Sequence, residues 1–182
     1  MIYIIGVRHQ WQNRDSKFLR KASKEMQAYI KDLKLIINKN HINKIFEEWT
    51  QIYPPYEKLS ITEKFIQKEY NNKISYYQID PIEKDWPFKT SEYNSKEKKT
   101  KTHDYREKIW VEKIKKELGV NDEALLIVGA GHIQNKFFDK NGTHFSKKNS
   151  LQNKLQEANI KFEVIFWENP TLINSLKEAE MP

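Results

Sequence analysis

Residues 123–132 read EALLIVGAGH. Ala124 to Val128 is apolar without a polar break, and Gly129 closes the run. A short run of this kind, buried on both faces, marks an inner strand of a parallel sheet. The glycines let the backbone turn sharply or approach a ligand closely. His132, three residues beyond Gly129, is the first titratable side chain past the strand.

Upstream of this strand, residues 104–118 carry Tyr105, Ile109, Trp110, Val111, Ile114 and Leu118 at helical spacing. Asp104 opens that helix and Gly119 is expected to close it as a left-handed cap. Residues 82–103 are polar and Lys-rich (SKEKKTKT lies among them) and read as a long mobile loop. Residues 73–79 read as a strand ending at Asp80-Pro81. A helix before it, to about Asn71, opens on the capping box Ser60-x-x-Glu63. Residues 41–49, HINKIFEEW, read as a further strand, and 17–38 as an amphipathic helix. Residues 2–6, IYIIG, form the first strand.

Downstream, 133–145 reads as a loop, 146–158 as a helix and 160–167 as a fifth strand. Strand and helix thus alternate through the chain. The pattern predicts an α/β fold: a mostly parallel sheet of about five strands, helices on both faces, one domain over 1–182.

Composition narrows the chemistry. Among 182 residues there is no cysteine, which removes disulfide scaffolds, thiolate metal sites and thiol nucleophiles. No apolar run reaches the ~20 residues of a membrane helix. The start MIYIIGVRH lacks the basic region and cleavage site of a leader peptide, so a cytoplasmic protein without membrane partners is expected. The formal charge is +7. It is carried almost wholly by lysine; the arginines are Arg8, Arg14, Arg20 and Arg106. Nucleic-acid readers favour arginine. A basic polyanion- or nucleic-acid-binding module is the second reading, through Lys96, Lys98, Lys99 and Lys101. Trp49, Tyr53, Tyr56, Trp86 and Phe88 would supply its stacking surfaces.

Ligands of open parallel sheets bind beyond the carboxyl ends of the strands. This chain places there Gly6-Val7-Arg8-His9, Glu47-Glu48, Asp80 and Gly129-Ala130-Gly131-His132. Two G-x-x-H stretches therefore close two strands of one sheet. Paired imidazoles with a carboxylate suit a divalent metal that activates water; without metal, His and Glu still serve as acid and base. The metal candidates are His9, Glu47 and His132, and Glu48 is the alternative carboxylate. Adjacent residues of a strand face opposite ways, so one of Glu47 and Glu48 at most faces the crevice. Arg106 sits in the first turn of its predicted helix, against the helix dipole. It is read either as stabilising developing negative charge or as pairing with Glu47 or Glu48. His41, His103 and His144 fall in loops or Lys-rich stretches and are read as having no site role.

The motifs GVRH, Glu47-Glu48, Asp80-Pro81, Arg106-Glu107-x-x-Trp110 and LLIVGAGHI together resemble the TraB/PrgY and Tiki group. That group lies within the erythromycin-esterase/ChaN-like superfamily, and the chain looks closest to its small bacterial members. The resemblance spans residues 2–165. It implies an α/β fold with its site at the strand ends. It also implies metal-dependent peptide hydrolysis, as in Tiki-like proteins, or ester hydrolysis involving His and Glu, on a peptide or small-molecule substrate. His9, Glu47 or Glu48, Arg106 and His132 are the residues it would carry over.

Overall fold

The computed structural model describes residues 1–7, 23–49, 59–71, 73–81, 87, 95–129, 132–133, 136–138, 144–146 and 151–165. Its elements, in chain order, are β1 (Ile2–Val7), α1 (Ser23–Lys39), β2 (Lys44–Glu47), α2 (Ile61–Tyr70), β3 (Ser75–Gln78), α3 (Ser95–Glu117), β4 (Ala124–Gly129), β5 (Lys136–Phe138), β6 (His144–Ser146), α4 (Leu151–Glu157) and β7 (Phe162–Ile165). Five strands form one sheet in the order β3-β2-β4-β1-β7, with every neighbouring pair parallel. The α/β architecture expected from the alternation is present.

β4 is buried at all six positions, as its apolar run requires. It lies between β1 and β2, so both its faces need cover. From β1 through β2 to β3 the chain steps one way across the sheet; from β3 through β4 to β7 it steps back. Right-handed crossovers then place α1 and α2 on one face and α3 and α4 on the other. The core divides accordingly. Tyr29, Leu33, Ile37, Phe65 and Ile66 pack on Ile5, Val7, Ile45, Leu125 and Ile127. Trp110, Val111, Ile114, Leu151 and Leu155 pack on Ile2, Ile4, Phe46, Leu126 and Val128. Odd and even strand residues thus feed different layers, as strand alternation dictates.

The Ser60 capping box forms: Ser60 Oγ accepts from the Glu63 amide at 2.9 Å, and Asn71 ends α2 in the left-handed region at φ 45°. Three expectations change. α3 begins at Ser95, so residues 95–103 of the expected loop are helical. Glu97, Thr100 and Lys101 are exposed, and burial begins at Thr102. The sequence of the first two turns shows no apolar period, while lysine and glutamate are good helix formers. Most of 82–94 lies outside the described residues. The expected loop 133–145 contains an antiparallel pair, β5 with β6, in which Phe137 faces Phe145. Gly119 is not left-handed; its amide donates to Asp122 Oδ2 at 2.5 Å, and a Cβ there would come within 2.9 Å of that oxygen. Close approach of Asp122 therefore accounts for the glycine. Among the described residues, no helix is long and apolar enough to cross a membrane.

Candidate functional site

The connections after β2 and β4 leave to opposite faces of the sheet, although these strands are neighbours. Reversal of this kind opens a crevice at the carboxyl ends. Glu48 follows β2 and His132 follows β4, and the structure brings them together there. Oε1 of Glu48 lies 3.4 Å from Nε2 of His132, with both side chains about 1% exposed. Backbone bonds fix the carboxylate: the Glu48 amide donates to the Ile127 carbonyl at 2.8 Å, and the Gly129 amide donates to Glu48 Oε2 at 2.6 Å.

α3 supplies the rest of the wall. His103, Arg106, Glu107 and Trp110 stand at i, i+3, i+4 and i+7, one face of the helix. Arg106 Nε donates to Asp80 Oδ1 at 2.7 Å and Nη2 to Oδ2 at 2.9 Å. Nη2 also donates to Glu48 Oε1. Trp110 Nε1 donates to Asp80 Oδ1 at 3.0 Å, and the Arg106 guanidinium carbon lies 5.1 Å from the indole centre. Asp80, just past β3, is thereby drawn into the same network. Arg106 is an ion-pair hub between Glu48 and Asp80, and its place in the chain is repaid by these two carboxylates.

The His132 ring is held on both sides. His103 stacks on it at 4.1 Å between centres, and Trp110 meets it edge-on at 4.6 Å. Its Nδ1 is 2.8 Å from Glu107 Oε1. Its Nε2 is buried without a hydrogen-bond partner, facing Glu48 only at the longer distance. Glu107 is fully buried, and its Oε2 accepts from Lys154 of α4 at 3.2 Å.

Burial opposes charge on His132, but the Glu48 and Glu107 carboxylates outweigh it and hold the imidazole above its ordinary pKa. Arg106 is shifted upward in the same way, its two carboxylates overcoming burial. Burial pushes the Asp80 carboxyl up, with Arg106 and Trp110 acting against the rise. Three carboxylates, Glu48, Asp80 and Glu107, face the cations Arg106 and Lys154.

Among the described residues, His103, Glu107 and His132 form a group able to hold a metal ion, their donor atoms all within 4.8 Å of one another. Two imidazoles and one carboxylate are the donor set of many catalytic zinc sites. Donors around tetrahedral zinc stand ~3.4 Å apart, so closure needs movement of about an ångström.

Glu47 does not join His132. It turns to the other face, where Thr62 Oγ1 donates to Oε1 at 2.8 Å and Ser60 Oγ to Oε2 at 2.5 Å. Tyr76 also donates to Oε2, and the Tyr29 hydroxyl reaches Thr62 Oγ1 at 2.8 Å. Burial raises the Glu47 carboxyl pKa against these three hydrogen bonds. Glu47, expected in a metal set with His9 and His132, thus has its carboxylate among hydroxyls on the face opposite His132. His9 lies outside the described residues.

His103, read from sequence as having no site role, stands in the cluster. Its signal was the spacing His103-x-x-Arg106-Glu107-x-x-Trp110, hidden by starting the helix too late in the chain. Lys154 carried no signal among so many lysines. His41 is exposed in a left-handed turn at φ 51°. Trp49 is 7% exposed and so cannot serve as a stacking surface. Tyr53, Tyr56, Trp86 and Phe88 lie outside the described residues, as do the side chains of Lys96, Lys98 and Lys99.

Comparison with protein-family models, with curated proteins and with solved structures finds no match to this chain.

Proposed function

We propose that this protein is a divalent-metal-assisted hydrolase of ester or peptide bonds, akin to the TraB/PrgY and Tiki-like group, working at the carboxyl ends of β2 and β4. The observation that carries the reading is the His103–Glu107–His132 donor set, buried at Glu107 and His132, beside the anchored carboxylate of Glu48. His103, Glu107 and His132 would hold the ion. When bound, it polarises the scissile carbonyl and lowers the pKa of water. Glu48 takes the proton of the attacking water on Oε1. The Gly129 amide and Arg106 keep that carboxylate aimed. Trp110 and the stacked imidazoles exclude bulk water. Ligation requires a neutral His132 ring, so its raised pKa makes protons compete with the ion.

The test joins metal analysis to hydrolysis. Purified protein and an H103Q/H132Q variant are assayed for bound metal by mass spectrometry. Both are then assayed on panels of aryl esters and fluorogenic peptides, with and without a chelator. The expected result is about one ion per chain, lost in the variant, and hydrolysis abolished by chelation and restored by zinc or manganese. Protein that neither retains nor takes up an ion, and hydrolyses no member of either panel, would overturn the reading.

A further inference from the structure

Lys154 of α4 reaches a carboxylate of the site, and nothing in the sequence motifs marks it. Its Nζ lies 2.8 Å from Asp104 Oδ1 and 3.2 Å from Glu107 Oε2, and the side chain is only 13% exposed. Glu107 has no exposure at all. A buried carboxylate can rotate its two oxygens between partners, and the ring it faces follows. Here one oxygen is taken by Lys154 and the other by His132 Nδ1. A carboxylate only accepts hydrogen bonds, so Nδ1 is the donor and Nε2 is the nitrogen turned to Glu48. Outer partners of this kind fix the orientation of a site imidazole and the ring nitrogen it presents.

We infer that Lys154 is a positioning residue: by clamping Glu107 from the far side, it fixes the His132 ring of the metal-free site with Nδ1–H on Glu107 and Nε2 toward Glu48, and so holds both side chains in place for an ion to enter. Asp104 in turn restrains Lys154. It sits one turn before Lys108 on α3 and is half exposed, so it reaches the site only through the lysine. α4 is thereby tied to the site, and Gln152 of the same helix adds a second tie, donating to the Ile133 carbonyl at 2.9 Å beside His132.

The inference rests on the hydrolase reading for its catalytic consequence but not for its geometry, and the experiment separates the two. Chelated, metal-free protein labelled with nitrogen-15 at histidine is observed in water, and the His132 Nδ1–H signal is assigned by its loss in H132Q. In the unaltered protein this buried proton gives a sharp, downfield, slowly exchanging signal. In K154M the signal broadens or vanishes, and in K154R it returns. In parallel, K154M lowers kcat at least tenfold with KM within about twofold, and K154R recovers most of it. A lysine with only a structural role would lower thermal stability and leave the ring signal and kcat of folded protein unchanged; that result overturns the inference. If K154M does not fold, D104N carries the test, with partial broadening expected and an unchanged signal decisive against. A ring signal that responds in protein without hydrolytic activity upholds the positioning and removes the hydrolase reading instead.

Discussion

Replacing Arg106 by alanine is the sharpest test of the network. Its guanidinium spans two carboxylates, Glu48 at 1% side-chain exposure and Asp80 at 12%, and makes three hydrogen bonds to them. Truncation leaves both carboxylates buried without their cation. Removing one partner of a buried pair costs about 3–5 kcal/mol, most of it the desolvation of the charge left behind. At this chain length each kcal/mol lowers the melting temperature by roughly 2–4 °C, so a fall of about 6–20 °C is expected. Urea titration followed by tryptophan fluorescence gives the free energy directly. The penalty also depends on pH. Without Arg106 the folded carboxylates sit above their unfolded pKa values. The destabilisation is therefore full at neutral pH and fades as pH falls through the carboxylate range. The triple variant R106A/E48Q/D80N removes the stranded charges and should recover at least half of the loss. A loss below about 1 kcal/mol at pH 7, or a triple variant no more stable than R106A, would refute the buried-pair account.

Further outcomes follow from the same geometry. In chelated protein the stability difference between the native chain and H132Q should be largest below the ordinary imidazole pKa of ~6.5 and shrink as pH rises through the higher folded value; a difference that grows with pH contradicts it. E47A should cost at least about 3 kcal/mol by stranding the Ser60, Thr62 and Tyr76 hydroxyls, whereas E47Q, which keeps an acceptor, should cost less than half as much in the same denaturation. Hydrolysis should survive E47Q and fail in E48Q; equal loss in both would erase the distinction between the two faces. W110F should cost about 1.5–3 kcal/mol through the lost indole bond to Asp80, with near-neutral cost counting against that bond.

The fold was legible wherever burial imposed a period. The unbroken run Ala124–Val128 announced an inner strand because two covered faces leave no room for polar side chains. Ser60 and Glu63 announced α2 because orphan amides at a helix start need an acceptor. α3 was legible only from Asp104 onward, since its first two turns carry no apolar period and Glu97, Thr100 and Lys101 are exposed. The same blind spot hid His103, which stands at the boundary between the solvated turns and the buried ones. The site was legible at Glu48, Asp80, Arg106 and His132, whose types and strand-end positions are local facts. Which of Glu47 and Glu48 faces His132 depends on the order of strands and the side taken by each helix, and one strand's residues do not contain it. Lys154 and Glu107 meet across two helices far apart in sequence, a pairing that only packing reveals.

Glu47 and Glu48 give β2 an unusual guard against misalignment. Each is buried, and each has a tailored set of partners, hydroxyls on one side and cations on the other. A slip of one residue along β4 would turn Ile45 and Phe46 into each other's layers at modest cost, since both layers are apolar. It would also press one carboxylate among hydroxyls and apolar side chains already set for another, while stranding Arg106 without Glu48. Polar mismatch, not hydrophobic mismatch, is what forbids the slip. β2, with only four residues to hold its alignment, thus gains its precision from the chemistry at its carboxyl end.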